Sequence, residues 1–116
     1  MDRDVRAFLW DIAHAGEDVV AFTAGLDVET FLENRLVHAA VERKFEIIGE
    51  AISQLAKRDP ALAERIPDFR RAISFRNLLI HGYATVDVYR VWYTVQEELP
   101  KLRTVIARLL AELDSP

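Results

Sequence analysis

The chain has no cysteine among its 116 residues, which excludes disulfides and thiolate metal sites. No apolar run approaches the roughly 18 residues that a membrane-spanning helix needs. The acidic N-terminus also lacks the basic opening of a signal peptide, so the expectation is a cytoplasmic protein. No alternating apolar and polar run is long enough to suggest a strand, and repeats, linkers and low-complexity segments are missing as well. Glycine-rich phosphate loops and serine-centred triads do not occur. The three histidines, at 14, 38 and 81, are too scattered to build a metal cage, so neither a metal nor a cofactor is expected.

What is present fits a soluble all-α protein. Hydrophobic residues make up 51% and charged residues 29% of the chain, and the length suits a single domain over 1–116 with its own core. The net charge of −4 argues against a surface that coats nucleic acid indiscriminately. The charge is uneven, however: −6 over residues 1–34, +3 over 35–76 and −1 over 77–116. Arg65, Arg70, Arg71 and Arg76 lie in the positive block. Local potential governs phosphate binding more than the total does.

Helical periodicity organises the chain. A first helix is expected over 2–23, with Val5, Phe8, Leu9, Ile12, Val19 and Val20 inward and Asp2 and Asp4 at its positive start. Gly25 marks its end, and Asp27 caps a short helix over 29–33. A long helix over 35–57 carries an apolar stripe of Leu36, Val37, Ala40, Val41, Phe45, Ile48, Ile52 and Leu55. Gly49 in its middle costs about 1 kcal/mol against alanine, which points to close helix packing. Glu46 and Glu50 share one face there and repel unless a cation intervenes. Asp59 and Pro60 open a short helix through Arg65. Asp68 is the expected N-cap of the next helix, with Phe69, Ala72, Ile73 and Ile80 holding it to the core. Gly82 with positive φ is expected to stop that helix near His81. Asp87 caps a last helix to Leu113, kinked at Pro100. His14 and His38 read as surface residues. The architecture is an up-and-down helical bundle.

The chemistry-bearing residues cluster in Phe75-Arg76-Asn77-Leu78-Leu79-Ile80-His81-Gly82-Tyr83. Asn77 and His81 are four apart and share a helix face; Arg76 lies about 140° round from His81, within reach of a long side chain. A cation, an amide, an imidazole and a phenol at one helix end suit metal-independent RNA cleavage, in which the ribose 2′-hydroxyl attacks the adjacent phosphate. An imidazole moves protons near neutral pH, and arginine stabilises the extra charge on the pentacoordinate phosphate through paired N–H groups. Asn77 would orient the histidine or the phosphate, and Tyr83 would bind substrate or stack on a base. A single copy holds few groups, which favours a two-fold dimer pooling both copies of Arg76 and His81. The plainer reading, a solvated arginine and a surface histidine, stands beside this one.

The pattern Arg-x4-His-x-Tyr at Arg76, His81 and Tyr83 resembles the signature of the HEPN superfamily, and most of all the HepT-like toxins. Arg43-Lys44-Phe45-Glu46-Ile47-Ile48-Gly49-Glu50-Ala51 is similar to a second family segment, and Asp87 to Pro100 to a third. Leu79 and Lys44 depart from the family's usual basic residue and asparagine. The resemblance implies an all-α HEPN bundle, a homodimer and a toxin endoribonuclease with Arg76, His81 and Asn77 catalytic and Glu50 or Glu46 supporting the arginine. It also implies a nucleotidyltransferase antitoxin of the MntA type that transfers AMP to Tyr83. The alternatives are a non-catalytic helical partner that regulates such a nucleotidyltransferase, and a structural dimerisation module.

Overall fold

The computed structural model describes residues 4–114, the side chain of Tyr83 excepted. It is all-α: no strand occurs among the described residues. Helix α1 spans Val5–Thr23, α2 Val28–Glu33, α3 Arg35–Arg58, α4 Pro60–Ala63 and α5 Phe69–His81. A 3-10 turn over Tyr83–Thr85 leads to α6, Val88–Tyr93; a π-helical turn over Thr94–Glu98 then joins it to α7, Leu99–Asp114. Helix α3 lies between α1 and α5, α1 also packs on α7, and α2 rests on α6. No helix is long and apolar enough to cross a membrane.

The helix boundaries follow local chemistry. Asp4 accepts from the Ala7 amide at 2.9 Å and starts α1, while Asp2 lies outside the described residues. Asp27 and Thr30 form a reciprocal capping box at α2. Asn34, Asp59 and Asp87 cap α3, α4 and α6 through their side chains. Gly25 takes φ +77° just past the end of α1, a conformation that glycine alone adopts without cost.

The inward faces meet in one core. Leu9, Val19, Phe31, Val41, Ile52, Leu55 and Val91 have no solvent exposure. Each such side chain contributes about 1.5–3 kcal/mol by leaving water. Four expectations from periodicity need correcting. Leu36 is 80% exposed: it precedes Phe45 by nine residues, half a turn out of phase on a helix. Val20 is half-exposed, one position off the stripe through Val19. On α5 the buried residues are Phe69, Phe75 and Leu79, whereas Ile80 is exposed. His38 is half-buried, its ring tilted against Phe31 and hydrogen-bonded to the Phe31 carbonyl.

Three backbone details also differ from expectation. Asp68 precedes α5 in the left-handed region at φ 54° and makes no capping bond. Gly82 ends α5 with φ −123°, not a positive value. Its role is spatial: a Cβ there would stand 3.1 Å from Leu78 Cδ1 and 3.2 Å from the Leu78 carbonyl oxygen. The last helix is not α-helical throughout: a π turn over Thr94–Glu98 precedes Pro100. Proline has no N–H to bond Gln96, and its ring crowds that carbonyl; the chain widens into a π turn over the residues just before it.

Candidate functional site

Helix α5 is phased by Phe75 and Leu79, which are buried against α3 and its neighbours. That phase puts Arg76 on the flank toward α3 and leaves Asn77 and His81 together on the solvent side. Opposite Arg76 on α3 is Gly49. A Cβ at Gly49 would come within 2.3 Å of Arg76 Cβ and 3.0 Å of the Ala72 carbonyl oxygen. The missing side chain therefore lets the two helices meet backbone to side-chain root, as the mid-helix glycine foretold.

This close approach delivers the guanidinium to Glu50. Arg76 Nη2 donates to Glu50 Oε2 at 2.7 Å, and Nη1 donates to Asn77 Oδ1 at 2.6 Å. Gln54, one turn along α3, donates to the other Glu50 oxygen at 3.0 Å. Arg76 Nε is shielded from water and has no hydrogen-bond partner. The result is a relay of Gln54, Glu50, Arg76 and Asn77 that fixes the guanidinium plane. Glu46 is occupied elsewhere, 3.3 Å from Arg43 one turn back. Of the two carboxylates singled out by spacing, Glu50 is the one beside Arg76.

His81 is the last residue of α5 and is exposed. It makes no hydrogen bond or ion pair among the described residues. Arg76 does not swing to it, because both Nη groups are held by Glu50 and Asn77. Leu78 and Ile80, three residues and one residue before His81, are each 39% exposed. The backbone of Tyr83 begins the 3-10 turn directly after Gly82, while its side chain lies outside the described residues. No group of three or more His, Cys, Asp or Glu fit to hold a metal occurs among the described residues.

A groove of about 460 Å³ opens between α1, α3 and α5, with Arg76 and Ile80 on one wall and Arg43, Glu46, Glu50 and Arg58 along α3. Sequence reasoning gave no site role to Gln54 or Arg58. Gln54 was within reach of that reasoning, since it stands four residues from Glu50 on the same face. The groove itself depends on how α1 approaches α3, which no local pattern encodes.

The arrangement supplies a guanidinium fixed by Glu50 and Asn77 on the α3 flank of α5 and an exposed imidazole at the end of the same helix. Comparison with known proteins agrees in kind. The family model described as "Ribonuclease HepT-like" matches residues 12–109. The chain is 35% identical over 112 residues to a Methanocaldococcus jannaschii protein named as a candidate RNase, covering 97% of this chain and 96% of that one. It is 38% identical over 109 residues to a Thermococcus cleftensis protein named "Probable ribonuclease HepT", covering 94% and 98% respectively. No solved structure matches the chain. The family model covers most of the chain and both relatives align over nearly their whole length, so this protein belongs to the HepT-like ribonuclease family.

Proposed function

We propose that the chain is a metal-independent endoribonuclease, the toxin of a toxin–antitoxin pair, working as a homodimer whose cleft pools two copies of Arg76 and His81. The observation that carries this reading is the Arg76 guanidinium, held by Glu50 at 2.7 Å and Asn77 at 2.6 Å, with the exposed His81 five residues on along the same helix. In the reaction, His81 accepts the proton of a ribose 2′-hydroxyl, whose oxygen forms a bond to the adjacent phosphorus. The bond from phosphorus to the 5′-oxygen breaks, and His81 of the second copy returns a proton to that oxygen. The products are a 2′,3′-cyclic phosphate and a 5′-hydroxyl. Arg76 stabilises the charge on the phosphoryl oxygens, Asn77 and Glu50 position Arg76, and Glu46 supports them by holding Arg43.

Control comes from a nucleotidyltransferase antitoxin of the MntA type. The Tyr83 phenol attacks the α-phosphate of ATP, releasing pyrophosphate and leaving AMP on the ring. The added bulk and negative charge beside the motif compete with the RNA phosphate. A second reading, a non-catalytic partner of such an enzyme, draws on the engagement of both Arg76 Nη groups within the chain.

Cleavage of total RNA in EDTA separates the two. Arg76→Ala and His81→Ala should each lower the rate by about two orders of magnitude or more, with unchanged helical circular dichroism. Wild-type rates in both variants would overturn the nuclease reading. Sedimentation should give a dimer at micromolar concentration. Incubation with the antitoxin and ATP should add AMP units of mass to the wild-type chain and none to Tyr83→Phe.

A further inference from the structure

The groove beside Arg76 has a lining that the motif does not explain. Arg43, Glu46, Glu50, Gln54 and Arg58 all belong to α3 and all line it. At 100° per residue they fall within a stripe about 120° wide, and the two arginines at its ends are about 22 Å apart along the axis. Arg76 enters from α5 near the middle of this line, through its bond to Glu50. Arg43 keeps its side chain 67% exposed at one end, and at the other the Arg58 guanidinium sits 5.4 Å from the Phe8 ring centroid.

We infer that this groove is the track for single-stranded RNA on either side of the cut bond, with Arg43 and Arg58 as phosphate contacts flanking Arg76. The inference rests on the ribonuclease reading and deepens it. Three guanidiniums spread along about 22 Å match a backbone that carries one phosphate per nucleotide. Between them lie carboxylate and amide groups, which accept from the amino groups on the base edges of unpaired nucleotides. In a duplex the Watson–Crick edges are taken up by pairing, so these groups lose the partners that unpaired bases offer.

The test uses full-length protein, a fluorescent single-stranded oligoribonucleotide and its duplex, with anisotropy for binding and gel analysis for cleavage. Arg43→Gln and Arg58→Gln should each weaken binding about five- to tenfold and raise KM to match, with kcat within twofold. Each should also reduce the slope of log K against log salt by about 0.7, the share of one single-strand phosphate contact. Arg65→Gln removes the same charge from a surface pair with Glu112 and should change neither quantity. Single strands should outcompete duplex at least tenfold. Groove variants that behave like Arg65→Gln, or duplex that competes equally, would overturn the track while leaving the nuclease reading intact. Tight, arginine-dependent binding without Arg76-dependent cleavage would overturn the nuclease reading and leave the track standing. Absence of RNA binding at any salt overturns both.

Discussion

Replacing Gly49 by alanine tests the contact that positions Arg76. In an exposed helix interior, Gly→Ala stabilises by about 1 kcal/mol through helix propensity. Here the new Cβ would meet Arg76 Cβ at 2.3 Å, Arg76 Cγ at 2.9 Å and the Ala72 carbonyl oxygen at 3.0 Å. The first and last of these belong to the root of a side chain and to backbone, so rotamer change does not relieve them. Helices α3 and α5 must part by about 1 Å, and overpacking of this kind costs about 1–3 kcal/mol. The clash falls toward the upper end of that range, so we expect a net loss of about 1–2 kcal/mol. In urea unfolding, that lowers the midpoint by about 1 M for a domain of this size. A double-mutant cycle locates the cause. Arg76→Gly removes the two colliding carbons, leaving only the 3.0 Å approach to the Ala72 oxygen, and should recover most of the Gly49→Ala penalty, whereas Arg76→Ala keeps its Cβ and should recover little. A Gly49→Ala variant that unfolds at higher urea than wild type would refute the reasoning.

Other expectations are simpler. Asp59→Ala removes the bond from its side chain to the Leu62 amide at 3.1 Å, and should cost about 1 kcal/mol in the same unfolding assay. Arg65 and Arg6, hydrogen-bonded to Glu112 and Asp114, hold those two carboxyls below their ordinary values of 4.5 and 3.8. Because the folded-state values are the lower ones, the stabilisation is present above the ordinary values and fades as pH falls through the lowered ones. Thermal melts of Glu112→Gln and wild type should therefore differ at pH 6 and converge toward pH 2. A constant difference across that range would count against the pairing.

The helical architecture, most helix ends and the Gly49 contact were legible in the sequence, because each depends on neighbours three or four residues away. Asp27, Asp59 and Asp87 act through amides two or three residues on, and Gly49 stands out as a costly residue in an otherwise good helix. Legibility failed where tertiary geometry outranks local preference. Leu79 reads as a departure from the family pattern but is 3% exposed and packs in the core. Gly82 has the composition of a left-handed stop, yet its φ is −123° and it sits close under Leu78. Asp68 looks like a cap, but its left-handed backbone withholds the capping bond. Within the site, spacing left Glu46 and Glu50 equivalent. Only the approach of α5 to α3 distinguishes them.

The π-helical turn bears on how this chain tolerates changes in length. A straight α-helix advances 400° over four residues, so Val91, Val95 and Leu99 would drift about 40° per step. All three are buried, and the wider turn over Thr94–Glu98 lies between the first and the last of them. In effect the segment holds one surplus residue between two stripes that each keep ordinary helical phase. Losing a residue within 94–98 tightens the turn to α-helix and leaves Val91 and Ile106 facing inward. Losing one between Leu99 and Leu109 instead rotates everything beyond it by 100°, turning Leu109 from the core toward water. Insertions and deletions in this protein's relatives are thus expected to gather at the π turn, which works as an expansion joint in the longest stretch of the C-terminal half.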